Sequence, residues 1–144
     1  MDALDLTLRP PRPPREPLAG LDLIMAARTV DKLRASLPGG KLGSYHISGF
    51  SEVLFAKLGI TEDELRAVVE RAGGDADVAA WIRERCSPEA IAAVNDVIPR
   101  RLVRDRVGDP EFVKKYPLLP TMPGDAPLVD VLPLDDAAAF ANKA

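Results

Sequence analysis

Proline constrains this chain more than any other residue. Five of its fourteen prolines fall between Pro10 and Pro17 in "LRPPRPPREP", and five more punctuate the stretch from Pro117 to Pro133. Each fixes φ near −65° and removes an amide donor, so the first stretch cannot be a helix or a central strand and the second should be an extended connection with at most short helical pieces. The organisation expected is therefore an extended Pro/Arg-rich arm over residues 1–20, a helical core over 21–116, and a Pro-rich segment over 117–144 packed on the same domain. Polyproline II repeats every three residues, which puts Arg9, Arg12 and Arg15 on one edge of the arm, roughly 9 Å apart.

From Leu21 the period changes. Leu23, Ala26, Ala27, Val30, Leu33 and Leu37 recur at helical spacing, with Arg28, Asp31, Lys32 and Arg34 on the opposite, solvated face. This first helix should end at "PGG", Pro38 to Gly40. Phe50, Val53, Leu54 and Leu58 mark a second helix stopped by Gly59. "TEDEL" then supplies a capping box of Thr61 and Glu64 for a third. Asp75 is placed to cap a fourth helix, which buries Val78, Trp81, Ile82 and Cys86. Ser87 and Pro88 open a fifth, on which a buried Asn95 needs partners for both ends of its amide. Beyond Pro99 the pattern weakens. "RRLVRDRV", "DPEFVKKY" with Asp109 as cap, and "LDDAAAFANKA" each suggest one short helix. No pair of alternating runs argues for a sheet.

Composition limits the function classes. A net charge of −3 argues against a global attraction to nucleic acid or an anionic membrane. A patch at Arg100, Arg101, Arg104 and Arg106 would have to act locally, with Asp105 inside it. One Cys and one His exclude a disulfide framework and a multi-cysteine zinc site, and no cofactor is expected. No stretch approaches the roughly 18 apolar residues of a membrane span. A cytoplasmic location is the expectation.

Chemistry-bearing residues crowd into "SLPGGKLGSYHISGF", Ser36 to Phe50. It is not a P-loop, because Leu42 follows Lys41 and a helix precedes it. As a catalytic cluster, Lys41, Tyr45 and His46 would need a base and an orienting group within hydrogen-bond reach. The simpler reading is a glycine-dependent corner in which Leu42, Tyr45, Ile47 and Phe50 dip back to the core. The arm's arginines resemble Pro-rich peptide ligands. The alternative preferred is that the arm straps its own domain, with its arginines on carboxylates such as Asp130, Asp135 or Asp136.

Five features together carry a family resemblance: "DLTLRPPRPPREPLAGL" (Asp5–Leu21), "ARTVDKLRASLPGGKLGSY" (Ala27–Tyr45), "LGI" (Leu58–Ile60), Trp81 and Asn95. "PLVDVLPLDD" (Pro127–Asp136) matches more loosely. With them the chain resembles a bacterial family known as domain of unknown function 5069. The resemblance implies a single-domain, mainly helical protein and carries no activity, cofactor or catalytic residue with it.

The expectation is thus a mainly α chain of five to seven short helices. It is expected to act as a non-enzymatic binding or interaction module through Arg12, Arg15, Arg28, Asp31, Lys32, Lys41 and Tyr45. The partner would be a protein or a small anionic ligand. The alternative is a small-molecule enzyme with its site near Lys41, Tyr45 and His46.

Overall fold

The computed structural model describes residues 1–141. Among them are seven α-helices of six to eleven residues, four 3-10 turns and no sheet, so the chain is mainly α. Helices this short are marginal alone and owe their stability to packing. The packing divides into two compact units, Met1–Asn95 and Asp96–Ala144. The division falls after Asn95, whereas the proline pattern suggests a border at residue 116.

In the first unit the apolar period begins at Leu21 but the helix does not. Leu18 and Leu21 exchange backbone hydrogen bonds of 3.0 and 2.8 Å around a tight turn, and Met25 is left-handed at φ 73°. The Met25 N–H donates to the Pro14 carbonyl at 2.7 Å, away from any helical partner. Helix α1 (Ala26–Ala35) therefore starts only once the chain has turned off the arm.

Helix α2 (Phe50–Leu58) ends at Gly59. Helix α3 (Glu62–Arg71) begins with the expected capping box: Thr61 Oγ1 accepts from Glu64 N–H at 3.1 Å, and Glu64 Oε1 accepts from Thr61 N–H at 3.2 Å. Helix α3 packs on α1 and also on α4 (Asp75–Arg85). Val30, Leu33, Leu54, Leu65, Val69, Val78 and Ile82 are buried between these elements, each large aliphatic stabilising by about 1.5–3 kcal/mol over exposure.

Two expectations for α4 need correction. Gly74, not Asp75, is its N-cap, and Trp81 is only half-buried. Asp75 has a different task, as a partner of the arm.

Helix α5 (Pro88–Val97) starts as expected, with Ser87 Oγ accepting from Ala90 N–H at 3.1 Å. Near its end, Asn95 satisfies both ends of its amide on the segment before α1. Oδ1 accepts from Ile24 N–H at 2.8 Å, and Nδ2 donates to the Asp22 carbonyl at 2.9 Å.

The arm straps this unit. Pro11 and Pro14 are buried, and Arg9 and Arg15 are exposed. Arg12, expected on one edge with those arginines, points inward to Asp31, because the chain turns at Pro13–Glu16 with Glu16 N–H to Pro13 O at 3.2 Å.

In the second unit two extended segments lie antiparallel, with Val103 N–H to Ala126 O at 2.9 Å and Leu128 N–H to Arg101 O at 2.7 Å. "RRLVRDRV" forms a 3-10 turn at Val103–Asp105 rather than an α-helix. Asp109 caps α6 (Pro110–Lys115) through the Glu111 and Phe112 amides. Helix α7 (Val131–Ala141) starts three residues before the expected Leu134. Pro133 sits in its first turn, where amides lack helical partners anyway. The end of "LDDAAAFANKA" at residues 142–144 lies outside the described residues.

Candidate binding site at the glycine corner

The charged face of α1 is not solvated. Arg28, Asp31 and Lys32 are 3%, 0% and 7% exposed, which corrects the expectation of an outer face. The physical reason is that the arm lies over Arg28 and Asp31 while the glycine corner receives Lys32. Asp31 Oδ2 accepts from the Arg12 main-chain N–H at 2.8 Å, and Asp31 Oδ1 accepts from the Arg12 guanidinium at 3.1 Å. The same guanidinium reaches the Asp75 carboxylate at 2.6 Å, joining arm, α1 and α4. Desolvation alone would lower the Arg12 pKa. The hydrogen bonds and charges of Asp75 and Asp31 overcome it and hold the group above its ordinary value.

Arg28 donates to the Arg12 carbonyl at 3.4 Å and sits 5.7 Å from the centre of the Tyr45 ring. Lys32 donates to the His46 carbonyl at 2.9 Å. Charges read as a binding surface thus hold the arm and the glycine corner in place.

The corner itself requires both glycines. Gly39 has φ +88°, and a Cβ on Gly40 would lie 2.4 Å from the Ala35 carbonyl oxygen. The chain then runs beside the start of the arm, with Lys41 N–H to Leu4 O at 3.0 Å and Leu6 N–H to Lys41 O at 2.8 Å. Leu42, Tyr45, Ile47 and Phe50 reach only half-burial, because the core beneath is already filled by α1 and the arm.

What the corner does build is a cleft of about 540 Å³. Leu42, His46, Ile47 and Ser48 form one wall, Ser36 at the end of α1 and Glu62 and Arg66 of α3 the other. This second wall is braced. Arg66 donates to Ser36 Oγ at 2.9 Å, Asp63 at 2.8 Å and Glu62 at 2.6 Å. Two carboxylates therefore outweigh the one guanidinium, and the wall offers donors and acceptors with a net negative charge.

The expected site residues separate. Arg12, Arg28, Asp31 and Lys32 belong to the buried network, Arg15 is exposed on the arm, and Tyr45 is half-buried against Arg28. Lys41 is exposed, 4.0 Å from Asp5. None of the seven lines the cleft, whereas His46 does. Glu62 and Arg66 read from sequence as an ordinary i,i+4 surface pair, and nothing in their spacing marks a wall. Ser36 and Ser48 bracket the crowded stretch, the one signal that could have found them.

Elsewhere, burial holds the Cys86 thiol above its ordinary pKa, the opposite of an activated nucleophile. Among the described residues no group of three or more His, Cys, Asp or Glu is placed to hold a metal, and no helix is long and apolar enough to cross a membrane.

A family model described as a domain of unknown function, DUF5069, matches residues 8–136. No curated protein matches the chain.

Proposed function

The chain belongs to the DUF5069 family, whose description carries no activity, and from that premise we propose a non-enzymatic binding module that takes a small polar ligand in the corner cleft. The observation that carries this reading is the construction of the cleft, an open, shallow groove of about 540 Å³ with a wall pre-formed by the Ser36–Arg66–Glu62 hydrogen bonds. Ligand sites of small molecules are commonly 300–1,000 Å³ and largely pre-formed. Because Glu62 and Asp63 together outweigh the charge of Arg66, this wall is net acidic, and the ligand is a polar one that donates hydrogen bonds rather than a simple anion. Ile47 and Leu42 supply the apolar contact.

A cytoplasmic setting is part of the same proposal, in keeping with a chain that holds one buried cysteine and no disulfide framework.

A thermal-shift screen of polar metabolites tests the reading. A compound at 100 times its Kd should stabilise the native chain by about 2.7 kcal/mol. The shift should vanish in Ser48→Trp, whose indole fills the cleft from an exposed loop. A shift retained in Ser48→Trp, or no shift from any compound, contradicts the proposal.

A further inference from the structure

The Met1 amine occupies a site that neither the cleft nor the Arg12 network uses. Its ammonium lies against the end of α3 and donates to three main-chain carbonyls: Val69 at 2.9 Å, Glu70 at 3.2 Å and Ala72 at 2.6 Å. An ammonium has three N–H donors and no acceptor, so these carbonyls use its whole capacity. Its charge also sits at the negative end of the helix.

The way α3 ends explains why it takes this partner. The last carbonyls of a helix have no helical donor and must be met from outside. Ala72, the C-cap, is extended at φ −69° and ψ 146°, and its N–H goes to Val68 O. The next amide, that of Gly73, is spent on the Asp77 carboxylate at 2.8 Å. The amides that follow the helix thus serve Val68 and Asp77, and the terminal amine meets Val69 and Glu70.

The same contact is the free end of a seam. Asp2 O accepts from Arg34 Nε at 2.9 Å, Leu4 N–H donates to Arg34 O at 3.3 Å, and Leu4 O accepts from Lys41 N–H at 3.0 Å. Met1 closes a line of hydrogen bonds that runs from α3 past the end of α1 to the glycine corner.

We propose that the Met1 α-amine is a modification-sensitive site: the three carbonyls accept it as a free ammonium and reject it once it is acylated. A formyl or acetyl group removes the charge, leaves one N–H of the three, and sets its own carbonyl oxygen among oxygens that can only accept. Acylation therefore opens the seam from its end and loosens the corner.

The test compares the full chain bearing a free Met1 amine with the same chain bearing formyl-Met1, made in a bacterial host with its deformylase inhibited and verified by intact mass. The formylated chain should melt at least about 4 °C lower. Its Leu4, Lys41 and Ala72 amides should exchange with deuterium about tenfold faster or more, as charge-assisted hydrogen bonds are lost. Lys114→Gln removes an exposed positive charge from the second unit and should change neither. A further measurement needs no folded variant: dilute acetyl N-hydroxysuccinimide ester should modify the Met1 amine about tenfold more slowly in the folded native chain than in urea. Equal melting and exchange in the formylated chain, the same losses in Lys114→Gln, or equal acylation of the folded and unfolded chains overturns the proposal.

Discussion

Arg12 holds Asp31 through two different parts of itself: its main-chain N–H at 2.8 Å and its guanidinium at 3.1 Å. Asp31 is fully buried, and Arg34 also lies 4.0 Å from it. A carboxylate in that position is tolerable only with the arm in place. The arm, whose arginines resemble a Pro-rich ligand but which the sequence suggests straps its own domain, does so through Asp31 and Asp75 and is thereby an integral part of the first unit's core.

Arg12→Ala should destabilise the chain by about 3 kcal/mol, because it strands a buried charge. Arg12→Ala with Asp31→Ala should cost less than the two single losses combined, by about 1–2 kcal/mol. Urea denaturation of the four variants measures both. Additive losses would show that the pair is not coupled.

Asn95 joins α5 to the segment before α1 by two hydrogen bonds that use both ends of its amide. Asn95→Leu should cost about 2 kcal/mol by leaving the Ile24 amide and Asp22 carbonyl without these partners. Asn95→Asp keeps the acceptor and loses the donor, so it should fall between the native chain and Asn95→Leu. Thermal melts of the three proteins give the order.

Gly39 and Gly40 fail differently when substituted. Gly39→Ala forces a side chain into the left-handed region, about 1–2 kcal/mol. Gly40→Ala drives a Cβ against the Ala35 carbonyl, backbone that cannot rotate aside, and should cost more, about 3 kcal/mol with the corner displaced. The measured order in denaturant, Gly40 above Gly39, checks the geometry.

Asp5 gives a pH signature. Hydrogen bonds from the Thr7 hydroxyl and then the Thr7 amide, with a smaller contribution from Lys41, hold its carboxyl below the ordinary value of 3.8. A depressed folded-state pKa adds stability above the unfolded value, which is lost as pH falls through the folded one. Thr7→Val should raise the Asp5 titration midpoint followed by carboxyl NMR, and Lys41→Ala should raise it less. An unchanged midpoint in Thr7→Val would contradict the assignment.

Much of the helical frame is legible in local chemistry. Thr61 and Glu64, Ser87 and Pro88, Asp109 and Pro110, and Gly59 each act within a few residues of themselves, and each does as its spacing suggests. Local spacing cannot show where a long-range partner lies. Nothing in the period of Leu21–Leu37 says that the arm will cover Arg28 and Asp31, that the glycine corner will receive Lys32, or that Asp75 will turn from cap to ion-pair partner. The left-handed Met25 likewise answers to Pro14, eleven residues away. The cleft escaped for the same reason. Glu62 and Arg66 make an ordinary helical pair until the corner is folded beside them.

His46 offers the most direct test, because it is the chain's only histidine and lines the cleft. Its ring therefore gives a single Cε1–H signal in a carbon-proton correlation spectrum. On titration with a compound that stabilises the native chain, this account predicts a saturable shift of that signal with the same Kd as the thermal stabilisation, both lost in Ser48→Trp. A compound that raises the Tm while the His46 signal stays where it was would place the ligand elsewhere and contradict the account.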